Sequence, residues 1–386
     1  MKVLAIFIKL SFLMKPISKL LISLLALFIV SCSTEKQQAE LDYSSIPLIE
    51  LTKEFSITES EDYLPNQLQS VMVDEDGTIL ISQRNEKSIH QFDSSGNHVA
   101  KIVGPGRGPG ELSQYANPHF KNDILYMSNN HGLISEYRKN EDGIYEHITD
   151  HNYRLPGPLI GIKSEDDFNE FFIQKDSIDY PFGEVPPEFT TDFILPVKVD
   201  ADTLNVGEKV LSLRKHSSFI RLTNGGNTMT HSSLPYRYSD YMTETLPGGK
   251  ILVQRPTKSA IQIYDENYDI EHEVILNVKD RPVTEADMDY HFSEQSRTEK
   301  RDRRELIQDI KPPFTTVLMD DDNRFWLQTD ETEKGKEIVV LNYDGEPLGK
   351  LYIPANATIH EVKHGNVYII QAPWGLPSID IYSVDL

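Results

Sequence analysis

The sequence predicts an all-β fold, a six-bladed β-propeller, and three observations carry that prediction. Residues 68–103 hold four short strand-patterned runs separated by turn chemistry. A hairpin signal recurs six times down the chain, and a spare strand near the N-terminal end matches a missing one at the C-terminal end. Sheets of this kind bury their faces against their neighbours, and a closed ring removes the exposed edges of a linear array. A seven-bladed ring is the alternative if residues 192–234 form a sheet of their own.

The first repeat reads as strands over Leu68 to Val73, Thr78 to Gln83, Lys87 to Phe92 and His98 to Val103. Turns fall at Asp76-Gly77, Asn85-Glu86 and Ser94-Ser95-Gly96-Asn97, residues that supply left-handed backbone or bond to their own turn. Aligning the first hairpin of each repeat on its turn gives Gly77, Asp123, Asn169, Gly249, Asn323 and Asn366. Four mainly apolar residues follow each turn, and the fifth position reads Ser82, Ser128, Gln174, Gln254, Gln328 and Gln371. Each second strand is therefore expected to end on a small or amide polar residue. A fainter second hairpin shows at Phe92-Asp93, Tyr264-Asp265 and Tyr343-Asp344.

The ends are expected to share a blade. Ile46 to Leu51 and Phe55 to Ile57 look strand-like before the first full repeat, whereas Ala357 to Asp385 supplies only three strands. Two insertions interrupt the spacing, at about 176–217 and 282–312. The first is rich in proline and acids. The second carries a helix opened by Thr284 with Asp287 three residues on and halted by Lys311-Pro312-Pro313.

Ahead of the propeller, Lys15 and Lys19 precede an apolar run over Leu20 to Val30, too short to span a hydrocarbon layer of about 30 Å and matched to a secretory signal. Residues 1–31 read as that signal, 32–45 as a flexible tether and 46–386 as the propeller. Met14 is an alternative start. Cys32 is the only cysteine, so no intrachain disulfide can form. The formal net charge is −22 over 386 residues, and the signal carries four lysines and no acid. The mature surface is thus strongly acidic, which argues against nucleic acid as a partner and otherwise serves solubility.

Several motifs have ordinary explanations. Gly104 to Leu112 is glycine-rich, yet no Gly-Lys-Ser/Thr follows and Pro105 and Pro109 remove amides from any phosphate nest, so a close crossing between blades is expected. His360-Glu361-Val362-Lys363-His364 spells a zinc-protease string, but on a strand its histidines stand about 13 Å apart at ~3.3 Å per residue. Asp74 to Gly77 and Asp320 to Asn323 fall on hairpin turns, not calcium loops. The mixed-charge run Arg297 to Glu305 reads as a solvated helix face. No nucleophile elbow, Cys-x-x-Cys or dinucleotide fingerprint occurs, and no cofactor or metal is expected.

In an up-and-down propeller the loops joining strands two and three share a face with the links between blades, and every irregular feature of this chain falls there. That face is the expected working surface. Its candidate ligand-binding residues are Arg84, Arg107, Asn129, His131, Lys175, Arg255, Lys258 and Trp374.

Val73 to Ser82, the Phe92 to Gly96 turn and Gly104 to Leu112 resemble NHL-type repeats. Ile29-Val30-Ser31-Cys32 resembles the bacterial lipobox, which implies lipid on Cys32 and a membrane-anchored product. From about residue 15 to 386 the chain is similar to the six-bladed β-propeller lipoproteins of bacteria. The resemblance implies a cell-envelope location on the periplasmic or outer-membrane side and binding of a partner protein or small molecule. It transfers no catalytic residue. Three readings follow: a non-enzymatic binding propeller, an NHL-like hydrolase or lyase with a metal in the channel near His131 and Glu111, and a structural subunit docking through the helix at 284–310.

Overall fold

The computed structural model describes residues 40–386 except 115, 130–131, 165–167, 178–188, 201–202, 217–218, 224–226, 232–233, 237 and 372–376, with backbone alone at 219–223, 227–231 and 302. Among the described residues no helix is long and apolar enough to cross a membrane. Residues 42–386 form one unit.

Six sheets, antiparallel except for the two-residue strand Glu111–Leu112 that runs parallel to Gly104–Pro105 in the first, succeed one another along that unit and make the six blades of a propeller. Their inner strands, blades 1 to 6, are Leu68–Val73, Asn117–Lys121, Leu159–Ile162, Tyr241–Thr245, Thr316–Met319 and Ala357–Lys363. Inner strands of blades 1 and 6, 2 and 3, 3 and 4, and 5 and 6 lie against one another around a central channel. Middle strands such as Ile79–Gln83, Ser88–Phe92 and Ile251–Arg255 are buried at every position. They pack on both faces, so their sequences run continuously apolar or satisfied polar. The outer strand Tyr145–Asn152 alternates buried and solvent-facing residues because only one of its faces is covered.

The core lies between blades. Val71, Ile79, Ile81 and Phe92 of blade 1 meet Tyr368, Ile370, Ile379 and Ile381 of blade 6. Leu80 and Ile89 pack on Leu125 and Tyr137 of blade 2, and Trp326 and Val340 of blade 5 on Val367 and Ile369 of blade 6. Each junction thus needs both sheets.

One turn design recurs. Asp74 accepts from the Asp76 and Thr78 amides, Asp93 from Ser95 and Asn97, Asn140 from Asp142 and Ile144, Asp265 from Asn267 and Asp269, and Asp320 from Asp322 and Arg324. The opening carboxylate or amide satisfies amides that the tight turn leaves without strand partners. The two Asp-rich stretches are thereby occupied in their own turns.

The shared blade is present. Leu51–Ile57 pairs antiparallel with Ser378–Val384 and becomes the outer strand of blade 6. The expected strand over Ile46 to Leu51 is not one; there Leu48 bridges Lys350, and Pro47 O and Ile49 N bond to the Lys350 backbone in blade 5. The entering chain therefore ties blade 5 before it closes blade 6.

Two expectations change. The insertion at about 176–217 is largely blade 3 itself: Phe189–Asp200 pairs with Glu170–Asp176 on one side and with Thr203–Val206 and Leu211–His216 on the other. Its alternating Phe193, Leu195, Val197 and Val199 was the strand signal, obscured by the proline- and acid-rich sequence before it. Residues 192–200 thus join blade 3, which removes the seven-bladed alternative; Phe219–Thr223 and Asn227–His231 form a separate hairpin. The single helix is two, α1 at Glu285–His291 and α2 at Arg297–Arg304. Thr284 and Asp287 form the expected capping box, and a second box, Ser296 with Glu299, starts a new helix after Phe292 leaves helical geometry. Met288 and Phe292 dock with Leu234, Tyr236, Val283 and Ile307 in a core outside the blades.

A candidate ligand site at the channel mouth

The sequence-predicted residues do not come together as one constellation. Arg84, Arg107, Lys175 and Lys258 are exposed on the loop-rich face, and Asn129 is half-buried with its Oδ1 accepting from the Leu133 amide. Arg255 is 5% exposed. Its guanidinium donates to Gln262 Oε1, Asp240 Oδ2, Tyr264 Oη and Ser212 O, so it fastens blade 4 to blade 3. His131, Trp374 and Cys32 lie outside the described residues.

Of the six aligned polar residues only Ser128 and Gln371 end their second strands; Ser82, Gln174, Gln254 and Gln328 are followed by further strand residues, and three of the six serve the scaffold. Ser82 Oγ accepts from Ser70 N, Ser128 Oγ bonds His119 Nε2 at 2.8 Å, and Gln254 Oε1 accepts from Val317 N of the next blade. Glu111 Oε2 likewise accepts from Gly108 N at 2.7 Å inside the glycine-rich crossing. A Cβ at Gly106 would lie 1.9 Å from that carboxylate, so a side chain there would turn the Glu111 carboxylate away from Gly108 N.

A cavity of about 460 Å³ opens instead at the opposite end of the channel, where the first hairpin turns gather. Its lining includes Glu75, Lys121, Glu244, Asp321, Glu361 and Lys363, from blades 1, 2, 4, 5 and 6. Propeller geometry places them: the last residues of each inner strand point to the mouth. Phe120, Ile263, Met319 and Val362 supply apolar wall, giving the mixed lining usual for small-molecule sites. A larger groove, about 830 Å³, runs along α1 and α2, but there Lys300 is paired with Asp289 and Arg304 with Asp309.

The charges in the mouth are unequally satisfied. Lys363 Nζ donates to Glu75 Oε1 at 2.6 Å and Val73 O at 3.2 Å, and the buried Lys121 donates to Leu246 O at 2.8 Å. Glu244 and Glu361 take no hydrogen bond from any described residue. Glu244 is exposed and Glu361 half-buried, so solvent reaches both through the mouth, yet the walls of the channel crowd around their carboxyls. That burial, then the charge of Glu244, raises the Glu361 carboxyl to about 8 against the opposing pull of Lys363; burial lifts Glu244 to about 7 despite Lys121.

An elevated carboxyl contributes stability below its ordinary range and loses it as pH rises through the elevated value. Glu361→Gln is therefore expected to melt higher than the parent at pH 9 and to match it near pH 4, as read by differential scanning fluorimetry. Two carboxyls raised by their surroundings and set together in a cleft make this mouth the candidate site. Sequence reasoning missed both, although Lys121, Glu244, Glu361 and Lys363 sit just before the aligned turns. An ionisable residue there, at the end of an inner strand, was the available signal.

His119 and His360 occupy inner strands of blades 2 and 6, and burial holds both imidazoles neutral, near 4. Neither lines the cavity. The His360 to His364 string does lie on a strand running into a turn, and His364 Nε2 faces Asp74 O at 3.2 Å. Among the described residues no three His, Cys, Asp or Glu side chains are arranged to hold a metal ion.

No family model and no curated protein matches the chain. Solved structures do. A DUF4221 family member from Bacteroides vulgatus is 13% identical over 88% of this chain and 99% of that one, with a TM-score of 0.49. A putative exported protein from Bacteroides fragilis is 10% identical over 90% and 98%, at 0.47. Virginiamycin B lyase from Staphylococcus aureus, solved with quinupristin, is 12% identical over 87% and 90%, at 0.36. At these identities the likeness concerns the fold alone, and the cavity has to be interpreted from its own residues.

Proposed function

We propose that the protein is a non-enzymatic binding propeller of the bacterial cell envelope, tethered through lipid on Cys32, that captures a small polar molecule at its channel mouth. The observation carrying the binding reading is the 460 Å³ cavity with two carboxylates, Glu244 and Glu361, that no described donor satisfies. A binding site in this state has acceptors ready for a ligand, and a rigid ring holds them without rearrangement. The tether rests on the sequence alone: a lysine-flanked apolar run ending in Ile-Val-Ser-Cys.

A thermal-shift screen of small polar compounds tests the first part. Hits on the parent chain that disappear in a Glu244→Gln/Glu361→Gln double variant support the reading; hits insensitive to both substitutions place the site elsewhere. Metabolic labelling with radioactive palmitate tests the second. Label should enter the parent and be absent from Cys32→Ala.

A partner protein docking on the loop-rich face is the second reading, favoured by the exposure of Arg107, Lys175 and Lys258 there. Substituting Arg107 and Lys175 with alanine should then weaken capture of that partner and leave the melting temperature unchanged within about 1 °C, since both are exposed and exposed positions contribute within about ±0.5 kcal/mol.

A further inference from the structure

We infer that the mouth's ligand is an organic cation, a primary amine or guanidinium on an alkyl stem, held between Glu244 and Glu361. This deepens the binding reading above and rests on it. Four features of the cavity point to that chemistry.

The donors are committed. An anionic ligand would have to take Lys363 from Glu75 and Val73 O, Lys121 from Leu246 O, or Lys250 from Glu271 at 2.7 Å. The acceptors are open, because Glu244 and Glu361 bond to no described donor. The surroundings add negative charge: Asp321 from blade 5 and Glu75 from blade 1 face Glu361 together with Glu244, against Lys363 on its own strand. Lys121 from blade 2 and Lys363 from blade 6 face Glu244. Finally, Phe120, Ile263, Met319 and Val362 offer apolar wall to an alkyl stem beside the carboxylates. A ligand of fixed charge at one end and methylenes at the other fits each of these at once, whereas a sugar would leave the wall uncovered and a bare metal ion would lack a third protein ligand.

The same geometry couples binding to protons. With Glu361 near 8 and Glu244 near 7, the pair holds protons at pH 7. An entering ammonium forms N–H···O bonds to carboxylate oxygens, and the displaced carboxyl proton leaves to solvent. Affinity therefore rises with pH through this window, and uptake at neutral pH releases up to about one proton per cation.

Isothermal titration of the full chain in detergent, with spermidine as probe, tests this. Glucose, citrate and calcium chloride serve as neutral, anionic and inorganic comparators. Spermidine should bind at one saturable site, at least about tenfold more tightly at pH 8 than at pH 6, with proton release shown by the difference between two buffers of unlike ionisation enthalpy. Glu361→Gln and Glu244→Gln should each weaken it about tenfold or more while the melting temperature holds or rises. Saturable binding of glucose, citrate or calcium that these variants abolish, without spermidine binding, would overturn the cation assignment and leave the mouth as the site. Spermidine binding indifferent to pH and to both variants, or no saturable binding of any probe, would overturn the assignment and the mouth together.

Discussion

Ile57→Asp is expected to destabilise the propeller by about 4 kcal/mol or more, enough to take a domain of ordinary stability close to unfolding at 37 °C. Ile57 is 2% exposed, the last residue of the strand Leu51–Ile57 that closes blade 6, and it packs with Val71, Phe92 and Ile379 at the junction of blades 6 and 1. The substitution removes a buried aliphatic side chain, worth about 2–3 kcal/mol in transfer alone, and leaves a carboxylate in an apolar cluster without a counter-ion. Thr52→Ala on the same strand is the control: Thr52 is exposed, and the change should stay within about 0.5 kcal/mol. Urea denaturation followed by tryptophan fluorescence and circular dichroism checks both. An equal effect of the two substitutions would mean that the strand's presence matters and its inward face does not. Because the closing strand pairs with residues more than 300 positions away, the ring is also a fold of long-range contacts, and its refolding should be slow.

This junction is also where the sequence was most informative. Strand-forming residues at both ends of the chain, each set incomplete, left one arrangement that hides every edge, and Leu51–Ile57 beside Ser378–Val384 is that arrangement. Hairpin turns were equally readable, because Asp74, Asp93, Asp265 and Asp320 each act within five residues and local chemistry is visible in local sequence. Blade 3 was obscured because its third strand follows a proline-rich stretch that reads as an insertion, although Phe189–Asp200 pairs along its whole length.

The site was the hardest part to read, for a physical reason. Glu75, Lys121, Glu244 and Glu361 lie on four different blades and meet only after the ring closes. No spacing rule connects them. Polar residues on the loop-rich face attracted attention by their regularity, yet Ser82, Ser128 and Gln254 are regular because each blade needs the same internal ties. Regular repetition therefore reports on the scaffold, and the unrepeated charges at the ends of inner strands report on the channel.

Lys311→Met should cost about 3–5 kcal/mol, the penalty for leaving buried carboxylates without their cation. The ammonium donates to Asp287 Oδ1 at 2.6 Å and Asp330 Oδ2 at 2.8 Å, with side chains only 8%, 9% and 15% exposed. Tyr236 Oη donates to Asp287 at 3.1 Å, and Arg281 reaches Asp330 only at 3.9 Å, so neither replaces the lysine. Asp287 also caps α1, which makes this network the clamp that holds the two-helix insertion on blade 5. Burial alone would raise the Asp287 carboxyl; the Lys311 ammonium and the Thr284 bonds hold it below its ordinary range. A depressed carboxyl stabilises the fold above its unfolded pKa and loses that contribution as pH falls through its folded value. The deficit of Lys311→Met relative to the parent should accordingly be large at pH 7 and shrink as pH falls through the carboxylate range. Adding Asp330→Asn should recover part of it, since one uncompensated charge is gone. If the clamp acts locally, limited proteolysis will cut the variant first within 292–296, between the helices, while spermidine affinity at the mouth on the other face stays at the parent value. Cleavage spread over all six blades would show instead that the insertion is part of what keeps the ring closed.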